Sequence, residues 1–113
     1  MVPDRAANAV TGVDVADLLA AFEAKRARIG VIGLGYVGMP LALTAARAGY
    51  RVLGFDINEP RVRQINRGET FIRHIAAHHV AEAVRSGFEA TSDFGRLGEP
   101  DAILICVPTP LTR

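Results

Sequence analysis

Residues Arg28 to Gly38 read R-I-G-V-I-G-L-G-Y-V-G. A β-branched run from Ile29 to Ile32 leads into Gly33, and Gly35 and Gly38 complete G-x-G-x-x-G just ahead of a helical run from Met39 to Ala48. A second strand pattern, Arg51 to Phe55, delivers Asp56. Strand, glycine turn, helix, strand and terminal carboxylate stand in the order that a dinucleotide-binding βαβ unit needs.

Each glycine answers a separate demand. At Gly33 the chain turns sharply out of the strand, where a Cβ would clash. Gly35 removes a side chain where the backbone must approach a pyrophosphate, and Gly38 lets the helix pack close to the sheet. The N–H groups of Tyr36 to Met39 are expected to be free and to face the anion, with the helix dipole adding to the attraction. Pro40 gives up an N–H that has no intrahelical partner in a first turn. Asp56 lies where such units set a carboxylate on the adenosine ribose hydroxyls. A carboxylate repels a 2′-phosphate and no basic residue follows it directly, which points to NAD rather than NADP. A glycine turn that merely tightens a strand-to-helix junction leaves that acid unexplained.

The chain has 113 residues, half of them apolar, with a formal net charge of +1. That suits one small domain and offers no electrostatic case for nucleic acid or a membrane surface. No apolar run approaches the roughly 20 residues of a spanning helix. Asp14, Asp17 and Glu23 interrupt every apolar region a signal peptide would need. A single cysteine excludes an internal disulfide and fits a reducing cytoplasm.

Outward from the βαβ unit, residues 1–27 read as an N-terminal extension and residues 28–113 as the cofactor-binding domain. Met1 to Gly12 is expected to be a disordered lead. Asp14 can cap a helix running to about Arg28, with Val15, Leu18, Leu19 and Phe22 as one apolar stripe and Val13 stapled onto Leu18. Downstream, Asn58 caps a short helix containing Pro60, Val62 and Ile65 that stops at Gly68. Arg61, in its first turn, can cover the adenosine end of a dinucleotide or simply face solvent. Glu69 to Ile75 reads as a loop and Ala76 to Ser86 as a helix ended by Gly87. Phe88 to Thr91 reads as a third strand, with Ser92 or Asp93 capping one more turn. Ala102 to Val107 reads as a buried parallel strand, followed by Val107-Pro108-Thr109-Pro110.

These elements predict an α/β, Rossmann-type parallel sheet in the order 3-2-1-4 with flanking helices, truncated before further strands. The carboxyl edge then carries Gly33, Asp56 and Thr109, with Thr109 on the pyrophosphate or nicotinamide side. The far edge of strand 4 is left bare, so the isolated chain is expected to dimerise or aggregate through it.

The runs I-G-V-I-G-L-G-Y-V-G-M-P-L-A, G-F-D-I-N, I-N-R-G-E-T-F-I-R-H-I and I-C-V-P-T-P-L closely resemble the N-terminal end of the UDP-glucose/GDP-mannose dehydrogenase family. The likeness covers Ile29 to Leu111, and the loop and V-P-T-P-L look most like the branch acting on UDP-N-acetylglucosamine or UDP-N-acetylmannosamine. The family commonly has N-P-E-R where this chain has Asn58-Glu59-Pro60-Arg61, and often an acid in place of Arg73. The resemblance implies oxidation of a sugar 6-hydroxyl to a carboxylate with two NAD, with a nucleotide sugar and further copies of the chain as partners. It implies that Tyr36 and Val37 contact the pyrophosphate through their backbone, that Asp56 holds the adenosine ribose, and that Thr109 lies beside the cofactor near the reacting carbon. The family's catalytic cysteine and lysine lie far downstream of this segment, so the chain itself is expected to bind NAD without turnover.

Cys106 reads as an inert side chain inside the fourth strand, with no base or cation to lower its pKa. His74, His78 and His79 lack a cysteine or carboxylate to complete a metal site. Two alternatives remain from the sequence: a stand-alone NAD-binding module, or another Rossmann dehydrogenase, against which V-P-T-P argues.

Overall fold

The structure, a computed structural model, describes residues 15–106. The expectations for Met1 to Gly12, Val13, Asp14 and the segment from Val107 through Thr109 and Pro110 lie outside them. Helix α1 (Val15–Glu23) precedes β1 (Arg28–Ile32), α2 (Gly38–Arg47) and β2 (Arg51–Phe55). Then follow α3 (Glu59–Asn66), α4 (Ala77–Arg85), β3 (Glu89–Thr91), a 3-10 turn (Phe94–Gly98) and β4 (Ala102–Ile105).

The four strands form one sheet in the order β3-β2-β1-β4. All pairings are parallel: Ile32 stands opposite Phe55 in β2 and Ile105 in β4, and Phe55 opposite Thr91. Every strand therefore finishes at the same edge, as the sequence predicts. Helix α2 packs across β1 and β2, α3 against β3, and α4 against both helices. Val31, Met39, Leu43, Val52, Ile65, Val80 and Phe88 join in one buried cluster between them. Burying an aliphatic or aromatic side chain of this size contributes about 1.5–3 kcal/mol, so this cluster supplies most of the cohesion.

Helix ends follow local chemistry. Asn58 Oδ1 accepts from the Arg61 N–H at 3.1 Å, making the expected cap of α3. Asp93, the second of the two candidate caps, accepts from the Gly95 N–H at 2.9 Å. Helices α2, α3 and α4 are each followed by a glycine with positive φ, at Gly49, Gly68 and Gly87. Helix α1 departs from the expected span to Arg28. It stops at Glu23 because Lys25 takes φ 60°, the left-handed position usually given to glycine. The Arg26 N–H then reaches back to the Ala21 carbonyl at 2.8 Å and the Lys25 N–H to Phe22 at 3.1 Å.

The apolar stripe of α1 is only partly covered: Leu18 and Phe22 are half-buried, while Val15 and Leu19 are 48% and 59% exposed. Tyr50 holds the helix instead. Its hydroxyl donates to the Phe22 carbonyl at 3.1 Å, and Lys25 lies over its ring.

Strand β4 is also a correction. It ends at Ile105, and Ile103, Leu104 and Ile105 are 39%, 43% and 68% exposed. An apolar sequence makes a buried strand only when neighbours cover it, and among the described residues β1 alone pairs with β4. At the opposite edge, Asn66 closes β3 with a side chain. Its amide donates to the Ala90 carbonyl at 2.8 Å and accepts from the Ala90 N–H at 2.9 Å.

Arg96 ties β3 to the 3-10 turn, donating to Glu89 at 2.6 Å and to Glu99 at 2.8 Å. Those contacts hold both carboxyls below the usual glutamate range. A carboxyl whose pKa is lowered on folding stabilises the fold above its unfolded value and loses that contribution as pH falls through the folded one. Arg96→Met is therefore expected to lower the urea midpoint slightly at pH 7, with the gap to the parent chain closing on acidification below the glutamate range. Urea titrations at pH 7 and pH 3 check this.

Candidate functional site

Gly33 leaves β1 with φ 93°, and its N–H donates to the Phe55 carbonyl at 2.8 Å. The turn thus begins while still attached to β2. Leu34 tucks into the core, fully buried. Room for it comes from Gly54 inside β2, where a Cβ would meet both Leu34 methyls at 2.8 Å. Gly38 brings α2 onto the turn: a Cβ there would lie 1.6 Å from the Gly33 carbonyl oxygen. Gly35 differs, since the nearest atom to a Cβ is Arg61 Nη1 at 4.0 Å. Packing demands glycine at Gly38 but leaves open space at Gly35.

The amides at the start of α2 are mostly unclaimed. Val37 is the N-cap and makes no side-chain cap bond. Among the described residues, the N–H groups of Tyr36, Val37 and Gly38 have no acceptor. Met39 is a correction to the expected span, because its N–H donates to the Gly35 carbonyl at 3.0 Å. Pro40 has no N–H, so the first bond forms two residues earlier than the Leu41-to-Val37 bond that would open the helix otherwise.

Asp56 turns toward the glycine loop and is buried. Its Oδ2 accepts from the Leu34 N–H and its Oδ1 from the Asn58 N–H, both at 2.9 Å. Arg61 Nη1 approaches Oδ2 at 3.5 Å. The carboxylate therefore joins the turn after β1 to the start of α3.

A cleft of about 630 Å³ opens along this edge, within the range of small-molecule sites. It is lined by the turn from Gly33 to Val37, by Asp56, Ile57 and Arg61, and by Phe94 and Cys106. Tyr36, Val37 and Ile57 are 72%, 63% and 85% exposed around it, an apolar rim of the kind that marks a binding surface. Thus seven of the eight sequence-selected residues, Gly33, Gly35, Tyr36, Val37, Gly38, Asp56 and Arg61, gather at one place, Gly38 just behind the lining. Thr109 lies outside the described residues.

Cys106 corrects the expectation of a cysteine inside a buried strand. It follows the end of β4, is half-buried and lines the cleft, with its N–H bonded to the Ile32 carbonyl at 2.7 Å. Phe94, whose ring lies 5.6 Å from that of Phe55, was not foreseen. Its only sequence signal is the capping Asp93 before it. Among the described residues no three potential metal ligands cluster, and the His78 and His79 rings lie 4.2 Å apart, tilted by 58° to each other.

The family model for the "UDP-glucose/GDP-mannose dehydrogenase family, NAD binding domain" matches residues 27–113. The chain belongs to this family. Its UDP-glucose/GDP-mannose dehydrogenase relatives include a UDP-N-acetyl-D-mannosamine dehydrogenase of Salmonella typhi, 48% identical over 84 residues, covering 73% of this chain and 19% of the relative. One from Methanococcus maripaludis is 42% identical over 85 residues, covering 74% and 19%. Among solved structures, the NDP-N-acetyl-D-galactosaminuronic acid dehydrogenase of Methanosarcina mazei Go1 superposes with a TM-score of 0.70 at 35% identity, covering 76% of this chain and 20% of that one. The chain thus spans about one fifth of the length of these relatives. The family relationship makes NAD the cofactor of this domain, and no helix of the described residues is long and apolar enough to cross a membrane.

Proposed function

We propose that the chain is the NAD-binding portion of a nucleotide-sugar dehydrogenase, which oxidises the C6 hydroxyl of a UDP-sugar to the carboxylate with two NAD. In this reading residues 28–113 form the NAD-binding domain, residues 1–27 an N-terminal extension, and the protein works in the cytoplasm. The observation that carries it is the pairing of unclaimed Tyr36, Val37 and Gly38 amides with the Asp56 carboxylate across one cleft.

The residues fit the cofactor. The three amides and the N-terminal end of α2 suit a diphosphate. The space beside Gly35, empty to 4.0 Å, lets that group approach the backbone. Among the described residues, Asp56 Oδ2 accepts from both the Leu34 N–H and Arg61 Nη1, whereas Oδ1 accepts only from the Asn58 N–H. A carboxylate oxygen accepts two, so Oδ1 can still receive a ribose hydroxyl. In this reading Arg61 covers the adenosine end, and the family resemblance assigns Thr109, outside the described residues, a role beside the reacting carbon. NAD itself supplies the hydride acceptor; these residues bind and orient it.

No residue among those described pairs a nucleophile with a base, so the chain alone is expected to bind NAD without turning over a nucleotide sugar. Calorimetry with NAD, together with absorbance at the NADH band after adding UDP-N-acetylmannosamine or UDP-glucose, tests both halves. Binding without NADH supports the reading; NADH formation overturns the second half and absent binding the first. Among the described residues β4 pairs with β1 alone, and its Ile103, Leu104 and Ile105 are exposed, which supports self-association of this chain into a homo-oligomer. A monomer by light scattering at high concentration would contradict it.

A further inference from the structure

Asp56 does not stand alone at the end of β2. The Arg61 guanidinium lies 3.5 Å from its Oδ2 and is stacked on the Phe71 ring, 4.4 Å from the centroid. Both members of that stack are tied at the backbone. Arg61 is held by the Asn58 cap. Phe71 sits between buried Ile72 and Thr70, whose hydroxyl accepts from the Ile72 N–H at 3.0 Å. Gln64 donates to the Thr70 carbonyl at 3.3 Å, fastening the same loop to α3. Arg61 lines the cleft and Phe71 does not, so the ring supports the guanidinium from behind.

Two opposed ribose determinants therefore meet at one point. A carboxylate after the second strand accepts from ribose hydroxyls, whereas a nearby arginine receives a 2′-phosphate. Here the arginine is in place, but a carboxylate answers its charge. Resting on the dinucleotide reading above, we propose that Asp56, Arg61 and Phe71 form a latent receptor for an adenosine 2′-phosphate. The Asp56 charge offsets most, but not all, of the attraction between Arg61 and that phosphate; once the charge is removed, the Phe71-backed Arg61 accepts NADP. Phe71 is a positioning residue, acting only through Arg61.

The test is calorimetric titration of the full chain with NAD and with NADP, each variant's thermal unfolding being recorded alongside. Asp56→Asn is expected to weaken NAD and to strengthen NADP about tenfold or more, the scale of a charge-assisted hydrogen bond. Asp56→Asn/Arg61→Leu and Asp56→Asn/Phe71→Leu lose that gain, while Asp56→Asn/Phe71→Tyr, which keeps the aromatic face, retains it. Asn has one acceptor oxygen for two N–H donors, so Asp56→Asn can unfold. In that event the ratio is read with Asp56 intact, by displacement of bound NAD with NADP. Arg61→Leu and Phe71→Leu then make NADP about threefold or more poorer relative to NAD, and Phe71→Tyr does not. A purely structural role for Phe71 moves the melting temperature and leaves the ratio alone. An NADP/NAD ratio that stays fixed across these variants while NAD still binds overturns the proposal. A parent chain that binds no NAD at all sinks the underlying reading as well.

Discussion

Gly38→Ala is expected to leave the chain without a cooperative thermal transition. Local preference points the other way, because alanine is favoured over glycine in a helix by about 1 kcal/mol. Sterics decide. The new Cβ falls 1.6 Å from the Gly33 carbonyl oxygen and 2.8 Å from its carbon, and both are backbone atoms that no rotamer change can move. Gly33 is itself fastened to Phe55 by its N–H. Relieving the overlap means lifting α2 off β1 and β2, where Met39, Ala42 and Leu43 are buried. Overpacking a core typically costs about 1–3 kcal/mol and sometimes more, and this overlap is deep. A small domain holds only about 5–15 kcal/mol in total. Gly35→Ala is the control: with nothing closer than 4.0 Å, it should fold normally and lose NAD affinity. Far-UV circular dichroism melts of both variants check the pair. A parental melt for Gly38→Ala would contradict the packing described here.

Asp56→Ala is expected to lose both stability and cofactor affinity. Removing the carboxylate strands the Leu34 N–H, whose bond is buried, at about 1–3 kcal/mol. The Asn58 N–H is only partly buried, so water can replace its partner at lower cost. NAD binding should weaken by about 1.5–3 kcal/mol, the scale of a hydrogen bond to a charged group. Urea denaturation reads the first effect and calorimetry the second. Because the same side chain closes the turn and faces the cleft, either effect can fail separately. Unchanged affinity would remove Asp56 from the site, and unchanged stability would remove it from the turn.

The strand order and the convergence of Gly33, Gly35, Tyr36, Val37, Gly38, Asp56 and Arg61 were legible because periodicity and punctuation agree in the segment from β1 to α3. Strand, glycine and cap signals there report the same βαβ geometry. The end of α1 was not legible, since Lys25 takes a conformation usually signalled by glycine. The exposure of β4 was hidden for a different reason: Ile103, Leu104 and Ile105 describe what a strand can bury against, not what is beside it. Partners set by distant loops left no local signal. The Arg61–Phe71 stack joins residues ten positions apart across a loop, and Phe94 reaches the cleft from the far side of the sheet order.

On this geometry the amides of the glycine turn and the Asp56 carboxylate bind NAD together. Amide chemical shifts of the isotope-labelled chain, followed during titration with NAD, test it most directly. The largest changes are expected on Gly33 to Gly38 and on Asp56 to Arg61, saturating together. Changes confined to the groove between α2 and α4, around Arg47, His79 and Arg85, or none at millimolar NAD, would contradict it.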